Sequence, residues 1–397
     1  MRRFSTSAWI VTVVALGLVA LAGLQIARFT LGFDELPLAH ALLGPPGDDI
    51  GRIEHVDARS GAIDYALIDA RIERLMEDPA MTGLAVAVIE NGEIAFARGY
   101  GETLRNSGEP VTPETVFRWA SLSKGVAATM LALLAEDGLV RLDAPVGRYA
   151  PSLRLPFGGH MHATVEDLLS HRLGIVRNAW DSRLESNESP LLLRLGMSHL
   201  ARACVPGTCY RYQNVAFDAA SEIVEEVSGG RNYETAVRDR LLRPLGMATA
   251  SVSLNGLQSS DSWARSHSRT GAQIEVVEPY YRVPAAGGMN GSILDLAIWL
   301  QAQMGAAPEV VPPSVIAAIH APRIRTLSED RRMRRYEGRL SSSFYALGWR
   351  LYDYAGHQVI GHRGAVRGYR SAVLFDPVRK VGVAVLSNSD SGRPFHI

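Results

Sequence analysis

Hydrophobic and polar positions fall along the chain in blocks that predict its elements one by one. The most apolar block comes first. Ala8 to Leu24 carries no charge, follows Arg2 and Arg3, and precedes Arg28, Asp34 and Glu35. Its length exceeds the roughly 7–15 residues of a signal-peptide core and falls just short of a full ~20-residue span. Residues 1–32 are therefore expected to form an N-terminal membrane anchor. A cleaved signal peptide is the alternative, because Ala20-Leu21-Ala22 offers a small-residue cleavage site. Either way the paired arginines keep the N-terminus inside. The rest of the chain is expected outside the cytoplasm, in the periplasm, membrane-anchored or secreted. Residues 33–65 read as a linker, since Gly44-Pro45-Pro46-Gly47-Asp48-Asp49 and Asp57-Ala58-Arg59-Ser60-Gly61 disfavour regular structure.

Beyond the linker the pattern changes period. Leu84–Ile89 and Glu93–Gly99 are β-rich runs around Asn91-Gly92, a strong hairpin signal. A second hairpin pattern closes the chain, with Ser371–Phe375 and Val381–Leu386 on either side of a turn that begins at Asp376-Pro377. Helix signals lie between. Thr164 with Asp167 and Ser292 with Asp295 have capping-box spacing. Val126–Leu134 is too apolar for a surface helix, while Ala216–Val227 and Tyr233–Leu242 also read as helices. The expected fold class is α/β (α+β): an antiparallel sheet whose first and last strands meet, flanked by helices, plus a mostly helical lobe at about residues 161–280. Residues 66–397 would form this one domain.

Composition narrows the function classes. The 397 residues are 47% hydrophobic and 21% charged, which suits a globular chain and excludes a disordered one. Lys+Arg and Asp+Glu are both 41, so there is no basic excess for a nucleic-acid partner. Glu329–Arg339 holds Arg331, Arg332, Arg334, Arg335 and Arg339, and reads as a solvated surface loop. Cys204 and Cys209, the only cysteines, are separated by Val-Pro-Gly-Thr. In an exported chain a disulfide is favoured over metal binding, because no Cys or His cluster completes a site. No metal or organic cofactor is expected.

Lysine is almost absent. Lys124 and Lys380 are the only two, and Lys124 lies three residues after Ser121 at the start of the apolar helix. Serine is a poor nucleophile until a base takes its proton, and residues three apart share a helix face. A lysine serves as that base once burial or a nearby cation lowers its pKa. Helix-opening N–H groups would stabilise negative charge. The alternative is an N-cap serine and a snorkelling lysine. Tyr212 and Asn214, two apart, can point into one cleft, with the Tyr212 phenolate favoured beside an ammonium and able to shuttle protons. The plainer alternative is a half-buried aromatic and a helix cap. His362-Arg363-Gly364-Ala365 leads into the last hairpin, on or beside an edge strand. There Gly364 would let a substrate approach, His362 could hydrogen-bond a substrate carbonyl or carboxylate, and the Ala365 N–H could join that of Ser121 as an oxyanion hole. A glycine-rich bulge with an exposed histidine is the competing possibility.

In this order the three pieces resemble the serine β-lactamase and penicillin-binding-protein superfamily, most closely the class C β-lactamase-like branch with its esterases and D-amino-acid-specific peptidases. The pattern Ser-x-x-Lys, Tyr-x-Asn, Lys/His-x-Gly maps onto Ser121 and Lys124, Tyr212 and Asn214, and His362 and Gly364. Val165–His171, Ala286–Asn290 and Gly361–Ser371 are similar too, and the resemblance spans roughly Ile68 to Asn388. It implies a β-lactamase/transpeptidase-like fold and an exported serine hydrolase working through an acyl-enzyme on an ester, amide or β-lactam of a small molecule or peptide. Ser121 would attack, Lys124 and Tyr212 would move the proton, and Asn214 would position Lys124 or substrate. His362 and Arg363 stand where many β-lactamases have Lys and Thr, which favours esterase or peptidase-like transfer over β-lactam hydrolysis. The chain also stops soon after Asn388, so an apolar sheet face is expected to be exposed. The rival reading is a non-catalytic module on the same fold that recognises peptidoglycan-like peptides or an envelope partner.

Overall fold

A computed structural model describes residues 63–333 and 338–392. The expected anchor or signal peptide and nearly all of the expected linker lie outside the described residues. Among the described residues no helix is long and apolar enough to cross a membrane.

The architecture is a large antiparallel sheet flanked by helices. Its eight strands are β1 (Gly83–Glu90), β2 (Glu93–Gly101), β3 (Ile324–Arg325), β4 (Leu340–Tyr345), β5 (Arg350–Tyr354), β6 (His357–Val366), β7 (Tyr369–Asp376) and β8 (Val381–Ser387). Their order is β2-β1-β8-β7-β6-β5-β4-β3. The first hairpin turns at Asn91 and Gly92, both with positive φ (55° and 84°), the backbone that this dipeptide favours. The ends of the domain meet as expected, with Leu84 opposite Ser387 and Val88 opposite Val383.

Strand periodicity separates two cores. Ala85, Ala87 and Ile89 of β1 face the main helical layer, while Leu84, Val86 and Val88 face the other side. That other side is covered by helix α1 (Tyr65–Met76), which buries Ile72 and ties Tyr65 Oη to Glu90 at 2.6 Å. The expected apolar sheet face is thus partly covered from the N-terminal side. Val383 and Val385 pack at its margin, and Leu374 on β7 is exposed.

On the inner face, helix α2 (Ser123–Glu136) is buried continuously from Ser123 to Leu134. The helical lobe contributes α3 (Val165–Leu169), α4 (Asp181–Glu185) and α5 (Ala219–Val227), followed by α6 (Pro284–Gly287) and α7 (Ile293–Gln303). Both capping boxes form, Thr164 with Asp167 opening α3 and Ser292 with Asp295 opening α7. Helix α5 begins later than the pattern suggested. Its lead-in is a tight turn, in which the Ala219 N–H donates to Ala216 and the Asp218 N–H to Asn214.

Two expectations need correction. The Glu329–Arg339 run is not simply a loop, because Leu327–Arg332 forms helix α8. Arg331, Arg332 and Arg339 are exposed, but Glu329 is buried. Its carboxylate accepts from Arg363 Nη2 at 2.5 Å and Tyr352 Oη at 3.1 Å and lies 3.6 Å from Arg350 Nη1; a buried carboxylate needs such partners. Arg334 and Arg335 lie outside the described residues. The strand carrying His362 is also not an edge strand, since β6 lies between β5 and β7. Its pairing with β5 nevertheless ends at Gly361, so residues 362–366 keep one side open.

Helix α2 lies hard against the loop before β5. A Cβ added to Gly125 would sit 2.7 Å from the Trp349 ring, and one on Gly348 2.4 Å from the Lys124 carbonyl. We predict that Gly125→Ala destabilises the fold by about 1–3 kcal/mol through overpacking, read as a lower urea midpoint. An unchanged midpoint would contradict this contact.

Candidate active site

The nucleophile candidate sits on a strained approach to α2. Phe117 and Arg118 pair with Gly291 and Asn290, and Trp119 is fully buried, with its Nε1 donating to the Gly291 carbonyl at 3.1 Å. Ala120 then takes φ +49°, a left-handed conformation that costs a non-glycine residue about 1 kcal/mol. Hydrogen bonds on both sides hold it there. Ser371 Oγ donates to the Trp119 carbonyl at 2.7 Å and Ser123 Oγ to the Ala120 carbonyl at 2.6 Å. Ser121 follows in the short 3-10 turn Ala120–Leu122, half-buried at the head of α2.

Lys124 is fully buried one turn further on. Its Nζ lies 3.4 Å from Ser121 Oγ and donates to Asn214 Oδ1 and to the Ala286 carbonyl, both at 2.8 Å. Two rings complete the cage, Tyr212 at 4.8 Å and Phe217 at 5.3 Å from Nζ. Burial dominates its titration and lowers its pKa to about 7, opposed by Asp181 and Asp218 and assisted by Arg350. Above that pH the amine is neutral, with two N–H donors and one lone pair. Asn214 and Ala286 accept the two donors, so the lone pair is left for Ser121.

Tyr212 meets the same hydroxyl. Burial pushes its phenol up to about 12, against a hydrogen bond to Ser121 and the charge of Arg350. The expected phenolate is therefore disfavoured, because loss of solvent outweighs the nearby cations; Tyr212 stays a proton donor at neutral pH.

His362 is brought to the rear of this group. Its Nε2 lies 3.0 Å from Tyr345 Oη, which in turn lies 3.2 Å from His171 Nε2. His362 Nδ1 donates to the Arg363 carbonyl, and the Gln213 N–H donates to His171 Nδ1. These partners assign the protons throughout: His171 carries its proton on Nε2, Tyr345 donates to His362, and His362 carries its proton on Nδ1. Burial holds both imidazoles well below their ordinary pKa, with Lys124 and Arg350 adding to it. Both His362 nitrogens are thus already engaged by protein groups.

Gly364 and Ala365 lie on the open half of β6. A Cβ on Gly364 would fall 2.4 Å from the Trp119 carbonyl oxygen and 2.2 Å from Ser371 Oγ, so only glycine lets the strand lie against the turn that leads to Ser121. Val366 and Tyr369 close the two-residue hairpin turn. Pairs alternate outward from there, so Ala365, opposite Arg370, turns its N–H away from β7 and towards the open side. Cys204 and Cys209 are joined by a disulfide with Cα atoms 6.3 Å apart. Its loop abuts the chain beneath Tyr212, with the Gly207 N–H on the Arg172 carbonyl and the Arg211 N–H on that of His171. Among the described residues no group of three or more His, Cys, Asp or Glu is placed to hold a metal ion.

Sequence reasoning did not identify roles for Ala286, Asp181, His171 or Tyr345. His171 and Ala286 lie in the stretches that resemble the superfamily, whereas Asp181 and Tyr345 have no local signature and reach the site only through the fold.

The profile of the beta-lactamase family matches residues 68–397, so the chain belongs to the beta-lactamase family. An unguisins hydrolase (ungD') of Aspergillus campestris is 28% identical over 327 residues, covering 78% of this chain and 58% of its own. The protein flp of Staphylococcus aureus is 23% identical over 335 residues, covering 82% of this chain and 63% of its own. The chain thus spans about three-fifths of the length of these relatives. Among solved structures, an octameric penicillin-binding protein homologue from Pyrococcus abyssi superposes with a TM-score of 0.73 at 26% identity, over 83% of this chain and 74% of that one. The fold is that of the β-lactamase and penicillin-binding-protein superfamily.

Gly364→Ala should force β6 away from the Trp119–Ala120 turn and cost about 1–3 kcal/mol, measured by urea denaturation. A variant as stable as wild type would contradict the close approach.

Proposed function

We propose that the protein is an exported serine hydrolase that takes the acyl group of an ester or amide onto Ser121 and passes it to water. The observation that carries this reading is the buried Lys124 amine, held by Asn214 and Ala286 with its third position towards Ser121 Oγ.

In acylation the Ser121 hydroxyl proton moves to Lys124 Nζ while Oγ bonds to the substrate carbonyl carbon. The oxyanion accepts the N–H groups of Ser121 and Ala365. As the carbon–leaving-group bond breaks, the Tyr212 phenol protonates the leaving group and the Lys124 ammonium restores the phenol's proton. Both residues end as they began. Water then attacks the acyl-enzyme, its proton passing through the same pair, and Ser121 is regenerated. General acid–base groups of this kind contribute about 10²–10⁴ in rate and an oxyanion donor about 10²–10³.

The substrate is a small-molecule or peptide acyl compound. Arg363, in the third motif, is held by Glu329 rather than free, which favours esters and peptide-like amides over a β-lactam. The relative named as an unguisins hydrolase supports hydrolysis as the outcome. Export is supported by the disulfide and by the arginine-led apolar run at residues 8–24, through which the protein would be anchored at the membrane or from which it would be released.

A fluorophosphonate should label wild type at Ser121, as read by mass spectrometry. Ser121→Ala should lose both the label and hydrolysis of a chromogenic short-chain ester. Lys124→Arg keeps a charge that cannot be shed and should lower the ester rate at least about 10². Equal rates for wild type and Ser121→Ala would sink the proposal. An unlabelled protein that still bound peptidoglycan-like peptides would favour the binding-module reading.

A further inference from the structure

We infer that Asp181 is a positioning residue of this site: its carboxylate orients the Asn214 amide, and through it the amine that faces Ser121. The inference rests on the hydrolase reading above and adds a group that no motif contains.

The geometry is a three-member chain. Asp181 Oδ2 accepts from Asn214 Nδ2 at 2.7 Å, and Asn214 Oδ1 accepts from Lys124 Nζ at 2.8 Å. An amide has a donor end and an acceptor end. A carboxylate at one side takes the donor end and leaves the acceptor end for Lys124. Turned over, the amide would set oxygen against carboxylate and N–H against N–H. Asp181 therefore decides which hydrogens of Lys124 are occupied, and so where its lone pair lies.

Its own placement is fixed from the same motif. The Asn178 N–H donates to the Tyr212 carbonyl at 2.8 Å and the Ala179 N–H to Gln213 Oε1 at 3.2 Å, while Gln213 Nε2 reaches the Val176 carbonyl at 2.5 Å. The segment before α4 is thus stitched onto residues 212 and 213. Trp180 then takes φ +63° and turns the chain into α4, with Asp181 at its first position. Among the described residues Asp181 Oδ1 is buried without a hydrogen-bond partner, and burial raises the carboxylate's pKa, against the pull of Asn214 and Lys124. A buried acceptor left half-used calls for an explanation outside stability, and control of Asn214 and Lys124 supplies one.

Asp181 is not the sole charge acting on Lys124. Asp218, at the entry to α5, also raises its pKa, and Arg350 on β5 lowers it. His171, His362 and Tyr212 face it uncharged. Asp218 differs in kind, because it is spoken for by Arg194 Nη1 at 2.9 Å and the Ala285 N–H at 3.0 Å. Removing the Asp181 charge leaves the others in place and should make the ammonium less stable.

Having only two lysines allows a direct test. Lysine-selective isotope labelling of the full chain gives two side-chain signals in NMR, and Lys380→Arg assigns them. In Asp181→Asn, and in Asp181→Ser as a second variant, the Lys124 titration should move to lower pH by about one unit. With the same variants, kcat for the ester should fall about tenfold while KM changes little. An unmoved Lys124 titration in a folded variant overturns the inference, as does failure of both variants to fold, which would make Asp181 structural. Loss of Ser121 labelling in wild type would instead defeat the hydrolase reading, and the Lys124 titration would still judge Asp181.

Discussion

The site depends on the burial of one amine. Water would hold Lys124 as an ammonium at neutral pH, but the cage of Tyr212, Phe217, Asn214 and the Ala286 carbonyl removes that water and shifts the balance towards the free base. Two fixed acceptors then turn a loss of solvation into a direction. The same desolvation keeps Tyr212 a phenol and His171 and His362 neutral. In the proposed reaction base and acid would thus be separated by environment, with opposite protonation at one pH.

Much of the surrounding architecture serves to hold that cage against the sheet. Helix α2 carries Lys124 and follows directly on the turn that holds Ser121, and its tight seat against Trp349 fixes its height above the sheet. The open half of β6 comes down onto Trp119 and Ala120 because Gly364 has no side chain and Ser371 offers a hydroxyl to the Trp119 carbonyl. From the helical lobe, Asp218 holds α6 so that the Ala286 carbonyl faces inward. The disulfide loop lies against Arg172 and Gly174, and the Arg211 N–H just before Tyr212 is held by the His171 carbonyl. Each of the three motifs is therefore positioned by a different part of the fold; the first two meet at Ser121 Oγ, and the third lies against the Trp119–Ala120 turn just before it.

What could be read from sequence follows from how locally each feature is decided. The Asn91-Gly92 turn and the two capping boxes are settled within four residues, so their chemistry is visible in the string. The meeting of the first and last strands was legible because both are apolar runs that need partners. Burial at particular atoms was not. That Glu329 would be an interior anchor depends on Arg363 and Tyr352 arriving from β6 and β5, and the fate of the Tyr212 proton depends on how completely the cleft excludes water. The hairpin pattern places His362 on or beside an edge; the pairing of β6 with β5 that ends at Gly361 instead depends on where β5 begins, at Arg350 after the Trp349 turn. Asp181 was invisible for the same reason, since its partner lies 33 residues along the chain.

The claim on which the rest turns is that Lys124 is a neutral base aimed at Ser121 near neutrality. The rate at which a fluorophosphonate modifies Ser121, followed across pH in wild type, tests it most directly. The account predicts a rate that rises with pH through a midpoint near 7, as the ammonium gives up its proton. A rate with no inflection there, or one that rises only around 10, where an exposed lysine titrates at about 10.4, would contradict it.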